Sequence, residues 1–102
     1  MNLNDYWINN CFTPPVNGVY SFDYSICTDT EIYIWFNKGN DFSNNNRHAV
    51  KYVSSTGSTN VILDCKISDN IYFGISSLFN GNILPNNLFS NTRASIALLQ
   101  YL

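Results

Sequence analysis

Residues 19–26 decide the fold class, and their sequence is Val19-Tyr20-Ser21-Phe22-Asp23-Tyr24-Ser25-Ile26. Aromatic or branched apolar side chains alternate with serine, aspartate and serine over the whole segment. A period of two places successive side chains on opposite faces of a strand. The segment therefore predicts a β-strand with one face in a core and the other in solvent.

Strand-like patterns recur along the rest of the chain. Predicted strands are 31–36, 47–54, 60–67, 71–75 and 94–102, with turns or loops at 37–46, 56–59, 68–70 and 79–91. No helical period of useful length appears, although residues 3–7 could form one turn. Short strands separated by turn residues are typical of an all-β sandwich or barrel. The core is expected to contain Tyr20, Phe22, Ile34, Leu63, Ile71 and Phe73.

Residues 12–22 resemble the signature of the complement globular-head family, a branch of the tumour-necrosis-factor-like jelly rolls; they are Phe12-Thr13-Pro14-Pro15-Val16-Asn17-Gly18-Val19-Tyr20-Ser21-Phe22. In that family an aromatic residue, a proline and a glycine precede Tyr-x-Phe. Here the aromatic residue is Phe12, the glycine is Gly18, and Tyr20 and Phe22 form the Tyr-x-Phe. Residues 34–39, 61–73 and 94–102 resemble later strands and turns in the same order. The resemblance implies an all-β, jelly-roll β-sandwich.

Three features depart from the family pattern. Only eleven residues precede Phe12, where family members have one or two more strands. We assign 1–11 as an N-terminal extension or first edge strand of one domain that spans 1–102. Ser68 replaces the usual glycine before Asp69, and the closing strand lacks its aromatic-x-Gly. The jelly roll is therefore expected to be either truncated at the N-terminus or completed by a partner chain.

Length and composition exclude several classes of protein. The 102 residues are 12% charged and carry a formal net charge of −2. Five basic residues scattered along an acidic chain do not form the patch that neutralises nucleic-acid phosphates. No apolar run is long enough to cross a bilayer, and residues 1–10 lack the basic and apolar runs of a secretory signal peptide. We expect neither nucleic acid nor a membrane as partner.

Candidate catalytic groups are few. His48 is the only histidine, and it could pair with Cys11, Cys27 or Cys65, but no nucleophile motif accompanies it. The cysteine spacing fits no zinc or redox motif. We expect free thiols, with one disulfide and a leftover thiol as the alternative.

The carboxylates also do not predict a metal-binding or catalytic site. Asp41 and the asparagines of loop 41–46 could offer oxygens to calcium, but the loop lacks EF-hand spacing and is expected to be solvated. Asp64 and Asp69 are expected on a strand and in a turn, where they would not form a glycosidase pair. We expect no catalytic residue, no metal and no cofactor, and therefore no enzymatic activity.

Apolar side chains exceed what one small core holds. The surplus aromatic residues are Trp7, Tyr33, Trp35, Tyr72, Phe79, Phe89 and Tyr101. Tyr33 and Trp35 lie on the outward face of strand 31–36. Leu99 and Tyr101 lie on the outward face of the last strand. Because aromatic residues line a three-fold axis in the resembled family, these four residues are the predicted interface of a homotrimer. Alternatively, both faces lie inside one sandwich, or a different protein covers them.

The predicted function is that of a non-enzymatic, trimeric jelly-roll head or fibre module that mediates binding or attachment. Seventeen asparagines suit an AT-rich genome, and none lies in an N-x-Ser/Thr sequon. With the missing signal peptide, these features favour a component displayed on a viral or phage particle. The alternatives are a lectin-like carbohydrate-binding domain, whose sugar would stack on an exposed Trp or Tyr, and a small β-sandwich hydrolase.

Overall fold

The computed structural model of the protein describes residues 2–8, 11–77, 83–84 and 93–102. The strands in this part are β1 (Trp7–Ile8), β2 (Cys11–Phe12), β3 (Gly18–Thr28), β4 (Ile32–Lys38), β5 (Arg47–Val53), β6 (Thr56–Cys65), β7 (Ile71–Ser77), β8 (Ile83–Leu84) and β9 (Arg93–Tyr101). Leu3–Tyr6 and Asn44–Asn46 form short 3-10 helices. The predicted all-β fold is confirmed. No helix within the described ranges has the length and apolar character needed to cross a bilayer.

The strands form two antiparallel sheets. Sheet 1 has the order β1-β2-β7-β4-β5, and sheet 2 has the order β6-β3-β8, with β9 also paired to β3. The pairs β4–β5, β3–β6 and β2–β7 are nested within one another along the chain. One antiparallel ribbon therefore runs from β2 to β7 and folds over to contribute strands to both sheets.

The main core lies between the two sheets. Its buried members are Phe12, Tyr20, Phe22, Phe36, Cys65 and Ile71, and Leu63 and Phe73 pack against them. A second cluster consists of Ile26, Ile32, Ile34 and Val53. The alternation predicted for β3 is confirmed, because Tyr20 and Phe22 are fully buried while Asp23 is exposed. The buried Tyr20 hydroxyl donates to the Val16 carbonyl oxygen at 2.8 Å, which satisfies its polar group.

The residues that carry the family resemblance meet in this core. The Phe12 ring lies edge-on to those of Tyr20 and Phe22, with centroids 5.4 and 5.7 Å apart. A Cβ on Gly18 would stand 2.7 Å from the Gln100 carbonyl oxygen. Glycine is therefore required there because β9 approaches the β3 backbone closely.

Several predicted boundaries are corrected. Residues 56–59 were expected to form a turn, but they begin β6, where Gly57 pairs with Ile26. β4 extends through Lys38 because it continues to pair with β7. β6 ends at Cys65, so Ile67 lies beyond the strand and is exposed.

Two short strands lie near the ends of the described chain. β1 is the edge strand of sheet 1, and Leu3 and Trp7 pack against the core. β8 lies inside the predicted connection 79–91 and pairs with β3. The rest of that connection, with Phe79, Pro85 and Phe89, lies outside the described residues.

Candidate functional site

Trp35 is buried by residues of its own chain. Its side chain is 7% exposed and occupies the space beside Gly74 of β7, which has no Cβ to fill it. The guanidinium of Arg47 lies over the ring, 3.9 Å from its centroid, in a cation–π contact. Gly74 and Arg47 of the same chain therefore cover most of the Trp35 ring, which agrees with the alternative that this face is packed within one protomer.

Other aromatic side chains lie on the same side of sheet 1 as Trp35. Tyr33, which is 38% exposed, pairs across the strands with Tyr52, and their ring centroids are 5.4 Å apart. Phe42 packs edge-on against Tyr72 at 4.9 Å. We call this surface the aromatic face; its members are Tyr33, Trp35, Phe42, Arg47, Tyr52 and Tyr72. The sequence alone did not identify Tyr52 or Arg47 because their positions depend on the pairing of β4 with β5.

A β-bulge changes the predicted orientation of the last strand. Tyr20 pairs with Leu98 and Val19 pairs with Gln100, so Leu99 is an extra residue without a partner in β3. Beyond the bulge, Tyr101 pairs with Gly18 and lies on the core-facing side of the sheet, although its side chain is 67% exposed. The prediction that Tyr101 lies opposite the inward face is therefore wrong. Leu99 is also exposed, and both residues lie in sheet 2, away from Tyr33 in sheet 1.

A second β-bulge lies in β5. Lys51 pairs with Ile34 and His48 pairs with Phe36, so two residues, Ala49 and Val50, stand opposite Trp35 alone. Ala49 has a φ of 53°, a left-handed conformation that is uncommon outside glycine. The Thr59 hydroxyl donates to the Ala49 carbonyl oxygen at 2.8 Å and ties the bulge to β6. Because Lys51 pairs with Ile34, the two residues lie on the same side of sheet 1.

Polar side chains of sheet 2, together with Lys51 of sheet 1, line a depression. Its volume is about 500 Å³, and its lining residues are Asp23, Ser25, Lys51, Ser58, Thr59, Asn60 and Ser95. Asp23 of β3 pairs with Asn60 of β6 on one side and with Ser95 of β9 on the other. We call this the polar depression. The predicted polar face of β3 contributes Asp23 and Ser25, whereas the sequence did not indicate the residues of the other strands.

The charges of the polar depression, Asp23 and Lys51, have no ion-pair partner among the described residues. The ion pair found between described residues joins Lys38 to Asp69 at 3.6 Å, well outside the depression. Neither the Asp23 carboxylate nor the Lys51 ammonium makes a hydrogen bond or ion pair with the part of the chain that the structure describes. Both side chains are exposed and line the depression.

Two of the candidate carboxylates, Asp69 and Asp41, bond to backbone amides. The Asp69 carboxylate accepts from the Lys66 amide at 2.7 Å, as expected for a turn residue, and the Asp41 carboxylate accepts from the Ser43 amide at 3.0 Å. His48 is half-buried on β5. Within the described ranges, no group of three or more His, Cys, Asp or Glu residues is placed to hold a metal ion.

No disulfide joins the three cysteines, Cys11, Cys27 and Cys65. Cys65 is fully buried, and its thiol donates to the Leu63 carbonyl oxygen at 3.7 Å. Burial raises the Cys65 pKa from its ordinary 9.0 to about 11, although nearby Lys38 acts in the opposite direction. Cys65 is therefore a protonated thiol near neutral pH, which is the inert form.

The raised Cys65 pKa predicts a loss of stability in base. Between about pH 9 and 11 the unfolded thiol loses its proton while the folded one keeps it, so the free energy of unfolding falls as pH rises through this window. Below pH 9 the contribution is fully present. Urea unfolding at pH 8 and pH 10 should show this fall, and the fall should be smaller in Cys65→Ala. Equal falls in both proteins would contradict the assignment to Cys65.

Comparison with known proteins gives no match to this chain, whether with protein-family models, with curated proteins or with solved structures. The likeness to the complement head therefore depends on the residues of this chain alone.

Proposed function

We propose that this protein is a non-catalytic jelly-roll module that assembles as a homotrimer and binds other molecules through its surface. A jelly roll is a double-sheet sandwich built from Greek keys. The nested pairs β4–β5, β3–β6 and β2–β7, with β9 returning beside β3, support this topology. The buried residues Phe12, Gly18, Tyr20 and Phe22 support the likeness to complement heads and tumour-necrosis-factor-like proteins.

Exposed apolar residues in both sheets are the observation that carries the proposed assembly. Tyr33 lies on the aromatic face of sheet 1, whereas Leu99 and Tyr101, 55% and 67% exposed, lie on β9 of sheet 2. A ring closed by rotation joins two different patches of neighbouring copies. A contact between the aromatic face of one copy and the β9 end of the next would cover both. Tyr33 and Arg47 suit such a contact, because Tyr and Arg are enriched among the residues that dominate binding energy at interfaces.

Sedimentation velocity of the isolated chain at micromolar concentration tests the trimer. We expect a species of three times the 11.6 kDa chain mass. Tyr33→Asp and Leu99→Asp should each produce monomers, because each buries an unpaired charge in the contact. Ile62→Asp, at another exposed apolar position on β6, should remain trimeric. A folded wild-type monomer would exclude the trimer.

The proposed location is the surface of a viral or phage particle, and composition alone supports it. A small hydrolase is the weaker alternative, because Asp69 and Asp41 bond to backbone amides. Turnover that disappears in His48→Ala would revive that alternative. The polar depression is a specific observation that supports the lectin-like alternative.

A further inference from the structure

The polar depression combines hydrogen-bond donors and acceptors on paired β-strands, and we propose that it is a binding site for a saccharide. Its lining comes from β3, β5, β6 and β9, all within one chain. The site is therefore independent of the proposed trimer, although it would give the proposed binding module its ligand class.

The chemistry of the lining selects for hydroxyl groups. The Asp23 carboxylate only accepts hydrogen bonds and the Lys51 ammonium only donates them, whereas the Asn60 amide and the serine hydroxyls do both. A sugar hydroxyl is donor and acceptor at once, so it can satisfy every member of this set. With one carboxylate and one ammonium, Asp23 and Lys51, the charged lining has no net charge and does not favour a phosphate or a metal ion over a neutral hydroxyl.

The pairing of the strands fixes the spacing of these groups. Asn60, Asp23 and Ser95 form one row across β6, β3 and β9, and neighbouring strands in a sheet are about 4.8 Å apart. Ser25 and Ser58 form a second row beside it. Groups held on paired strands are positioned more precisely than groups on loops, so little ordering is needed when a ligand binds.

The bulge in β5 directs Lys51 into the depression. In a regular strand that kept His48 opposite Phe36, Lys51 would pair with Tyr33 and lie on the aromatic face. The two-residue step at Ala49 and Val50 pairs it with Ile34 instead, and Lys51 lines the polar depression. Bulges often redirect a side chain beside a functional site, and strained backbone of the kind found at Ala49 concentrates at such sites.

The first experiment identifies the saccharide and locates its site. The full chain is applied to a printed array of neutral and acidic oligosaccharides, and the strongest is titrated into isotopically labelled protein followed by NMR. We expect the largest amide shifts at Ser25, Ser58, Asn60 and Ser95. The proposal is overturned if no saccharide causes shifts at millimolar concentration, or if the shifts cluster on the aromatic face.

Matched variants then separate the site from its surroundings. Asp23→Ala should weaken binding at least tenfold, whereas Asp64→Ala, an exposed carboxylate outside the depression, should bind like the wild type with the same unfolding midpoint. Equal binding by the two variants would overturn the proposal, as would acidic saccharides that bind more tightly once Asp23 is removed. A monomeric Tyr33→Asp variant should still bind, so failure of the trimer and failure of this site are distinguishable.

Discussion

Phe22→Ala is expected to lower the free energy of unfolding by about 3–5 kcal/mol. Phe22 is fully buried where the two sheets meet, and the rings of Phe12, Phe36 and Tyr20 lie 5.7, 5.9 and 6.3 Å from it, centroid to centroid. Removing the ring therefore loses its burial and leaves a cavity among aromatic neighbours that cannot all move to fill it. A loss of this size is a large share of the stability of a small domain.

Urea unfolding followed by tryptophan fluorescence measures this loss. Phe42→Ala is the matched control, because Phe42 is 57% exposed and contacts Tyr72 at the surface. We expect the control to lose about 1 kcal/mol or less, since its contact is mainly solvated. If the two substitutions cost the same, Phe22 would not occupy the centre of the core.

The strands could be predicted from the sequence because their signal is local. Alternation from Tyr20 to Ile26 depends only on the two-residue period, and burial of one face follows from it. Phe12 and Gly18 were identified not by alternation but by the longer pattern of the resembled family, and both lie in the same core. Residues 56–59 were misassigned because Gly57 suggested a turn, whereas packing against Val53 and pairing with Ile26 keep it in β6.

Bulges account for the orientations that the sequence did not predict. One extra residue at Leu99 reverses the face of Tyr101, and the pair Ala49–Val50 does the same for Lys51. A one-residue shift of register moves every later side chain to the other face. The β5 bulge is tied to β6 by Thr59, ten residues further along the chain, so alternation within β5 alone could not reveal it.

The polar depression was visible in the sequence only as one face of β3. Ser21, Asp23 and Ser25 marked a solvent-facing strand, but Asn60 and Ser95 join Asp23 only through pairing with two distant strands. No local spacing relates positions so far apart in the chain. A site formed by side chains of several paired strands can therefore be identified only once the strand pairing is known.

Gly74→Ala is expected to lower the free energy of unfolding by about 1–3 kcal/mol, a typical cost of overpacking. A methyl group at this position would overlap the Trp35 indole, which fills the space beside the glycine. Arg47 lies on the ring and restricts its retreat. Glycine within a strand is ordinarily unfavourable, so adding a Cβ would otherwise stabilise β7. A fall in the free energy of unfolding would therefore indicate that Trp35 occupies this space, and a rise would indicate that it does not.

A double-mutant cycle isolates the contact between Gly74 and Trp35. Once Trp35→Ala removes the indole, Gly74→Ala should cost nothing or stabilise the protein, which gives a coupling of about 1–3 kcal/mol between the two positions. Ser76→Ala, at an exposed position two residues along β7, should show no coupling to Trp35→Ala. If Gly74→Ala costs as much without the indole as with it, the strain would arise elsewhere in β7. The pattern expected here would instead establish that Trp35 is packed within its own chain, so that Tyr33, and not Trp35, is the residue of β4 whose exposed ring a neighbouring copy could cover.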